Sequence, residues 1–122
     1  MSISYNYRQN ENSPYFGTVR LAAWLEGHRA PMSTASAAHA AMDLARISRA
    51  MRKINERACN GYRHEADELR DERNETRLRI RAQGIAAEFG LTCYFQTDPR
   101  GCALYIGHGL TSANYSSQGV AC

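Results

Sequence analysis

The chain has 122 residues, of which 43% are hydrophobic and 22% are charged, so one folded domain is expected rather than a disordered chain. The net charge of +3, with a pI near 8.8, permits contact with nucleic acid without requiring it. There is no apolar run long enough to span a bilayer, and residues 1–16 lack the basic and apolar regions of a secretory signal, so we expect a cytoplasmic protein with no membrane partner.

The N-terminal part of the chain is predicted to be an arm followed by a short helix. Residues 1–17 are polar, with tyrosines among Asn, Gln and Ser, and are typical of an irregular arm. A short helix is predicted over residues 18–26, ended by Gly27. Trp24 shares an apolar face of this helix and is predicted to anchor it on the core.

A long amphipathic helix is predicted next, over residues 34–59. Its apolar seam recurs at steps of three and four and consists of Ala37, Ala40, Leu44, Ile47, Met51, Ile54 and Ala58. Asn60 and Gly61 are typical of a helix end, and a highly charged helix is predicted over residues 63–89. Two helices joined by so short a break fold most simply as an antiparallel hairpin. The alternative is that the seam joins two copies of the chain in a homodimer.

After Gly90 the apolar period changes to two, which predicts strands over residues 91–96 and 102–106. Residues 98–101, Asp-Pro-Arg-Gly, are typical of a type I turn. The register that places the apolar side chains of both strands on one face pairs Asp98 with Gly101, Phe95 with Leu104, and Cys93 with Ile106.

These elements predict the α+β class, with a short N-terminal helix, a long antiparallel helical hairpin and a C-terminal β-hairpin. The domain is expected over residues 18–107. Residues 108–122 are rich in Gly and Ser and are predicted to form a flexible tail.

The first long helix carries a basic stripe, which we define as Arg46, Arg49, Lys53 and Arg57, with Arg52 beside it. Two interpretations of the stripe are open. Its cations pair with acids between Glu65 and Glu75 on the next helix, or they dock onto phosphates or an acidic protein groove. A second candidate surface combines Arg100 in the hairpin turn with Tyr94 and Tyr105, on the strand face opposite the core.

The sequence contains no specific catalytic or metal-binding motif. There is no Cys-x-x-Cys pair, no glycine-rich phosphate loop before a helix and no nucleophile elbow. The cysteines are expected to be reduced thiols, because no secretory signal is present. We therefore expect a protein that is not an enzyme and that has no metal or cofactor.

Two segments, ARISRAMRKINERACNGY (residues 45–62) and YFQTDPRGCALYI (residues 94–106), resemble a group of small proteins encoded by tailed phages and prophages. The resemblance extends over about residues 33–106 and implies a setting inside a bacterial host cell. Small phage proteins of this size often bind and inhibit host or defence proteins, as anti-CRISPR proteins do. The resemblance thus implies an interaction protein that binds and inhibits a host or defence protein complex. The alternative is a small nucleic-acid-binding accessory protein that uses the basic stripe.

Overall fold

The computed structural model describes residues 4–7, 14–61, 64–98 and 101–108. They form, in chain order, strand β1 (Ser4–Tyr7), helices α1 (Pro14–His28), α2 (Ala37–Cys59) and α3 (Glu65–Glu88), and strands β2 (Thr92–Asp98) and β3 (Gly101–Gly107). This is the predicted α+β class, with a helical hairpin followed by a C-terminal β-hairpin. The predicted flexible tail lies outside the described residues from residue 109 onward.

Helix α2 begins at Ala37, three residues after the predicted start at residue 34, and ends at Cys59, the predicted last residue. The Ser36 hydroxyl accepts a hydrogen bond from the backbone N–H of His39 at 3.3 Å, which caps the first turn. After the last turn, Gly61 takes a φ of +96°, a left-handed conformation that glycine adopts without strain. The seam is buried from Ala40 to Ile54, whereas Ala58 is exposed. The seam therefore packs within its own chain and is not open as the homodimer interface considered above.

Helix α3 runs antiparallel to α2 and is mostly exposed. Its first turn carries three acidic residues, which interact favourably with the helix dipole. Its buried side chains are Asp71, Ala82 and Ala86. Arg57, near the end of α2, binds Asp71, near the start of α3, as an antiparallel hairpin requires.

Strands β2 and β3 pair in the predicted register. The pairs are Asp98 with Gly101, Phe95 with Leu104, and Cys93 with Ile106. The apolar side chains of both strands therefore share one face, where they join the same core cluster as the helices. Residues 99 and 100 of the predicted turn lie outside the described part of the chain.

The N-terminal segment differs from its prediction as an irregular arm. Ser4–Tyr7 forms a strand that pairs antiparallel with β3, which gives the sheet order β1-β3-β2. Without β1, one edge of β3 would present unpaired backbone N–H and C=O groups, and this pairing satisfies them. Helix α1 also begins before the predicted residue 18, at Pro14, whose fixed φ suits the first position of a helix.

Helix α1 continues one residue past the predicted stop at Gly27. The His28 ring stacks on Trp24 at a centroid distance of 4.2 Å, and His28 Nδ1 donates to the Trp24 carbonyl at 2.9 Å. This contact satisfies a carbonyl of the last turn and explains the extra residue. Trp24 itself is half-buried against the core.

The segment between α1 and α2 is tied to the end of α3. The Ala30 N–H donates to the Phe89 carbonyl at 2.8 Å, and the Arg29 guanidinium lies over the Phe89 ring, 4.9 Å from its centroid. Gly90 follows with a φ of +72°, and a Cβ there would lie 2.7 Å from the Ala30 Cβ. These contacts bring α1 and the end of α3 together, while α2 packs against both helices. Two grooves lie beside α2, one between α1 and α2 and the other between α2 and α3.

Candidate functional site

The structure divides the basic stripe between two grooves. Arg46 and Arg49 border a groove between α1 and α2, whereas Lys53 and Arg57 border a cleft between α2 and α3. The predicted continuous surface is therefore two surfaces, because different helices flank the two halves of α2. Arg52 lies outside both and pairs with Glu56 on the next turn of α2 at 3.3 Å.

We call the groove between α1 and α2 the apolar groove. Its volume is about 460 Å³. Its lining is formed by Thr18, Val19, Ala22, Ala38, Met42, Ala45, Arg46 and Arg49. Val19 is 65% exposed and Met42 is 46% exposed, although both are large apolar side chains. Exposed apolar side chains around a concave surface are typical of an interaction site.

The two arginines of the apolar groove are exposed to solvent. Arg46 lies 3.7 Å from Asp43 on the same helix, and its side chain is 70% exposed. An exposed pair at this spacing contributes only about 0.3–0.5 kcal/mol, so a partner carboxylate can replace it at little cost. Arg49 is also exposed. The groove thus combines an apolar lining with cations that are accessible to an anionic partner.

We call the cleft between α2 and α3 the cationic cleft. Its volume is about 360 Å³. Its lining is formed by Ala50, Lys53, Ile54, Arg57, Asn74, Arg77 and Leu78. Three cationic side chains and one amide therefore line the same cavity.

Arg77 is a member of this cleft that the sequence did not single out. It lies in the highly charged span of α3, where the sequence alone does not distinguish the exposure of one charged residue from that of another. The helix break at Gly61 could have indicated that Arg77 lies beside the C-terminal half of α2. An antiparallel hairpin that pairs Arg57 with Asp71 brings Arg77 close to Lys53.

The Arg57 side chain is bound to Asp71 through two hydrogen bonds. Arg57 Nε donates to Oδ2 at 3.0 Å and Nη2 donates to Oδ1 at 2.9 Å. Asp71 is 5% exposed, whereas the Arg57 side chain is 51% exposed. The hydrogen bonds to Asp71 raise the pKa of Arg57. For Arg57, the interpretation that the stripe pairs with acids of the neighbouring helix is therefore confirmed.

The predicted surface at the β-hairpin changes in one important respect. Tyr94 and Tyr105 are paired across β2 and β3 on the face opposite the core, as predicted. Tyr105 is only 2% exposed, however, and Tyr94 is half-buried. Tyr105 is therefore wrong as an exposed contact residue, because its side chain is buried although it lies on the face opposite the core. Arg100 lies outside the described residues.

The described residues contain no group of three or more His, Cys, Asp or Glu side chains that could hold a metal ion. Burial raises the pKa of Cys93 to about 12, which keeps this thiol protonated near neutral pH. Because the thiolate is the nucleophile, Cys93 is poorly suited to covalent chemistry. Cys59, in the last turn of α2, is exposed.

Comparison with known proteins leaves the family of this chain open. No protein-family model, no curated protein and no solved structure matches it. The resemblance to phage proteins therefore stays a prediction that depends on residues 45–62 and 94–106. Across the part of the chain that the structure describes, no helix is both long enough and apolar enough to cross a membrane.

Proposed function

We propose that this chain is a non-enzymatic interaction protein that binds a partner protein in the apolar groove. The observation that carries the proposal is the exposure of Val19 and Met42, at 65% and 46%, beside a groove of about 460 Å³. Covering such side chains removes apolar area from water, and each contributes about 1 kcal/mol to binding. A concave apolar surface of this kind supports a docking role.

The arginines of the groove indicate the chemistry of the partner. Arg46 and Arg49 lie beside apolar side chains, so a complementary surface carries acids next to apolar residues. Carboxylates bind arginine through two parallel hydrogen bonds, which are stronger than the exposed contact to Asp43. The occupant that fits is an amphipathic helix with an apolar face and acidic flanks.

The partner that we propose is a host or defence protein complex, which this chain inhibits when bound. The support is the resemblance of residues 45–62 and 94–106 to phage proteins. Arg46 and Arg49 belong to the first of these segments and also to the apolar groove. The resemblance and the groove therefore favour the same surface.

A nucleic-acid-binding accessory protein is the second candidate, and its support is the charge of the basic stripe. Binding to the phosphate backbone of a nucleic acid would require the cations of the basic stripe to lie along one continuous surface. Arg57 is bound to Asp71, and Arg46 and Arg49 border an apolar lining, which favours a protein partner. A salt titration separates the two candidates, because binding to duplex DNA loses affinity with a log–log slope of about −0.9 per phosphate contacted.

The proposal is tested with two synthetic helical peptides that share one apolar face, one with acidic and one with basic flanks. Fluorescence anisotropy is expected to show binding of the acidic peptide only. The variants Met42→Glu and Arg46→Glu/Arg49→Glu are each expected to weaken it by about tenfold or more. Ile80→Glu is the matched control, because Ile80 is 63% exposed on α3 and lies outside both grooves.

Equal binding of the basic peptide, or unchanged binding of the acidic peptide by both groove variants, would contradict the proposal. The natural partner is then identified by capture from a bacterial lysate with mass spectrometry. A genuine partner is retained by Ile80→Glu and lost by Arg46→Glu/Arg49→Glu. A protein captured equally by both variants does not use the apolar groove.

A further inference from the structure

The cationic cleft is a second concave site, separate from the surface proposed for the partner protein. Its volume of about 360 Å³ lies within the roughly 300–1,000 Å³ that small-molecule sites occupy. Such sites combine apolar lining with a few convergent polar groups. The polar groups here are Lys53, Arg57, Asn74 and Arg77.

Lys53 and Arg77 bring positive charge to the cleft that the neighbouring acids do not offset. Arg77 has no acidic residue three or four positions away, and Glu75, two positions away, binds another arginine at 2.8 Å. Lys53 has one acid at such a spacing, Glu56, and this also binds another arginine, at 3.3 Å. Two like charges thus converge on one cavity, which favours an anionic ligand.

Arg57 contributes to the shape of the cleft more than to its charge. Asp71 accepts hydrogen bonds of 2.9 and 3.0 Å from it, so the carboxylate offsets its positive charge. The charge available to a ligand therefore comes from Lys53 and Arg77. A phosphate monoester carries about −1.5 to −2 at pH 7, which these two cations match, whereas a phosphodiester carries only one negative charge.

We propose that the cationic cleft binds the phosphate monoester group of a small organic molecule. Lys53 and Arg77 bind the phosphate oxygens through charge-assisted hydrogen bonds, and the Asn74 amide adds a neutral donor. The apolar side chains of Ile54 and Leu78, which line the same cavity, contact the organic part of the ligand. No catalytic step is involved, so the site is a binding site.

Isothermal titration calorimetry with adenosine 5′-monophosphate as the probe tests the site. Saturable binding is expected for the monophosphate and not for adenosine. Lys53→Gln/Arg77→Gln is expected to weaken binding by about tenfold or more, because two charge-assisted hydrogen bonds are lost. Arg81→Gln is the matched control, since Arg81 is another exposed arginine of α3 outside the cleft, and it leaves the affinity unchanged.

Several results would overturn the proposal: no saturable binding of the monophosphate, equal binding of adenosine, or unchanged affinity in Lys53→Gln/Arg77→Gln. A short oligonucleotide without a terminal phosphate that binds as tightly as the monophosphate would also overturn it, since that strand carries only diesters. An oligonucleotide that binds only when 5′-phosphorylated supports the site and identifies a strand end as a source of the group. Melting temperatures equal to that of the parent protein show that the variants are folded.

Discussion

The ion pair between Arg57 and Asp71 ties the end of α2 to the start of α3, and its two halves contribute unequally to stability. The Asp71 carboxylate is 5% exposed and accepts two hydrogen bonds from an arginine that is half exposed. Removing the arginine leaves a buried charge without this partner, whereas removing the acid leaves a cation that water can reach. We therefore expect Arg57→Ala to destabilise the fold more than Asp71→Asn.

The size of the difference follows from the burial of the pair. Breaking a fully buried pair from one side costs about 3–5 kcal/mol, and water entering the half-exposed space left by Arg57 reduces this to about 2–3 kcal/mol. Asp71→Asn removes the buried charge and keeps an acceptor, which costs about 1 kcal/mol. In a domain of this size, a loss of about 2 kcal/mol lowers the melting temperature by roughly 8 °C.

Urea unfolding followed by circular dichroism measures the free energy of unfolding of each variant. The double variant Arg57→Ala/Asp71→Asn has no buried charge at this position, so we expect it to be more stable than Arg57→Ala alone, with a coupling energy of about 1–2 kcal/mol. Lys53→Ala, which removes an exposed cation one turn earlier, is the control and stays within about 0.5 kcal/mol of the parent protein. A cost of Arg57→Ala no greater than that of Lys53→Ala, or single effects that simply add in the double variant, would contradict this expectation.

Two further predictions concern backbone conformation and a buried thiol. Gly84→Ala is expected to stabilise the protein by about 0.5–1 kcal/mol, since a Cβ there meets open space within a helix, as measured by urea unfolding. Gly90→Ala is expected to destabilise it by more than about 1 kcal/mol, because its φ is +72° and its Cβ would lie 2.7 Å from that of Ala30; equal effects at both glycines would contradict this. Folding keeps the Cys93 thiol protonated up to about pH 12, while the unfolded thiol loses its proton near its ordinary value of 9.0. Cys93 should therefore lower the free energy of unfolding between these values by up to about 1.4 kcal/mol per pH unit, so that its slope in urea titrations at several pH values is less steep in Cys93→Val than in the parent protein. Equal slopes in the two proteins would show that the thiol is not held neutral.

The elements that the sequence predicted correctly are those in which local and tertiary signals agree. The α2 seam has a helical period, the helix ends at Cys59 just before the Asn60-Gly61 break, and the seam is buried because α1, α3 and β3 pack against α2. The β-hairpin register follows from a turn sequence and an alternating pattern that allow only one shared apolar face. In both cases the sequence pattern and the packing favour the same structure.

The elements that were missed depend on partners far away in sequence. β1 covers only Ser4–Tyr7, and it forms because β3 offers a free edge more than 90 residues later. Adding β1 makes β3 the central strand of the sheet, so both of its backbone edges are paired. A pattern within residues 1–17 contains no information about that edge.

The basic stripe was predicted as one surface, whereas the structure divides it between two grooves. All members of the basic stripe lie on α2 at the predicted spacing, and the alternative of pairing with α3 holds for Arg57. The helical period fixes which residues of α2 share a face, but it does not say which helix borders each half of that face. That depends on the packing of α1 and α3, which also brings Arg77 into the cleft.

The different chemistry of the two grooves has a physical origin in the sequence of α2. Its N-terminal half is rich in alanine and packs against α1, where the groove has a largely apolar lining. Its C-terminal half faces the charged span of α3, whose side chains resist burial and keep the cleft open and polar. Arg49 of the apolar groove and Lys53 of the cationic cleft are four residues apart, or about 6 Å along the helix axis, which is shorter than the Debye length of about 8 Å at physiological salt. The two proposed ligands would therefore not bind independently, and an anion in the cationic cleft is expected to weaken the attraction of Arg49 for the acidic side chains of a partner.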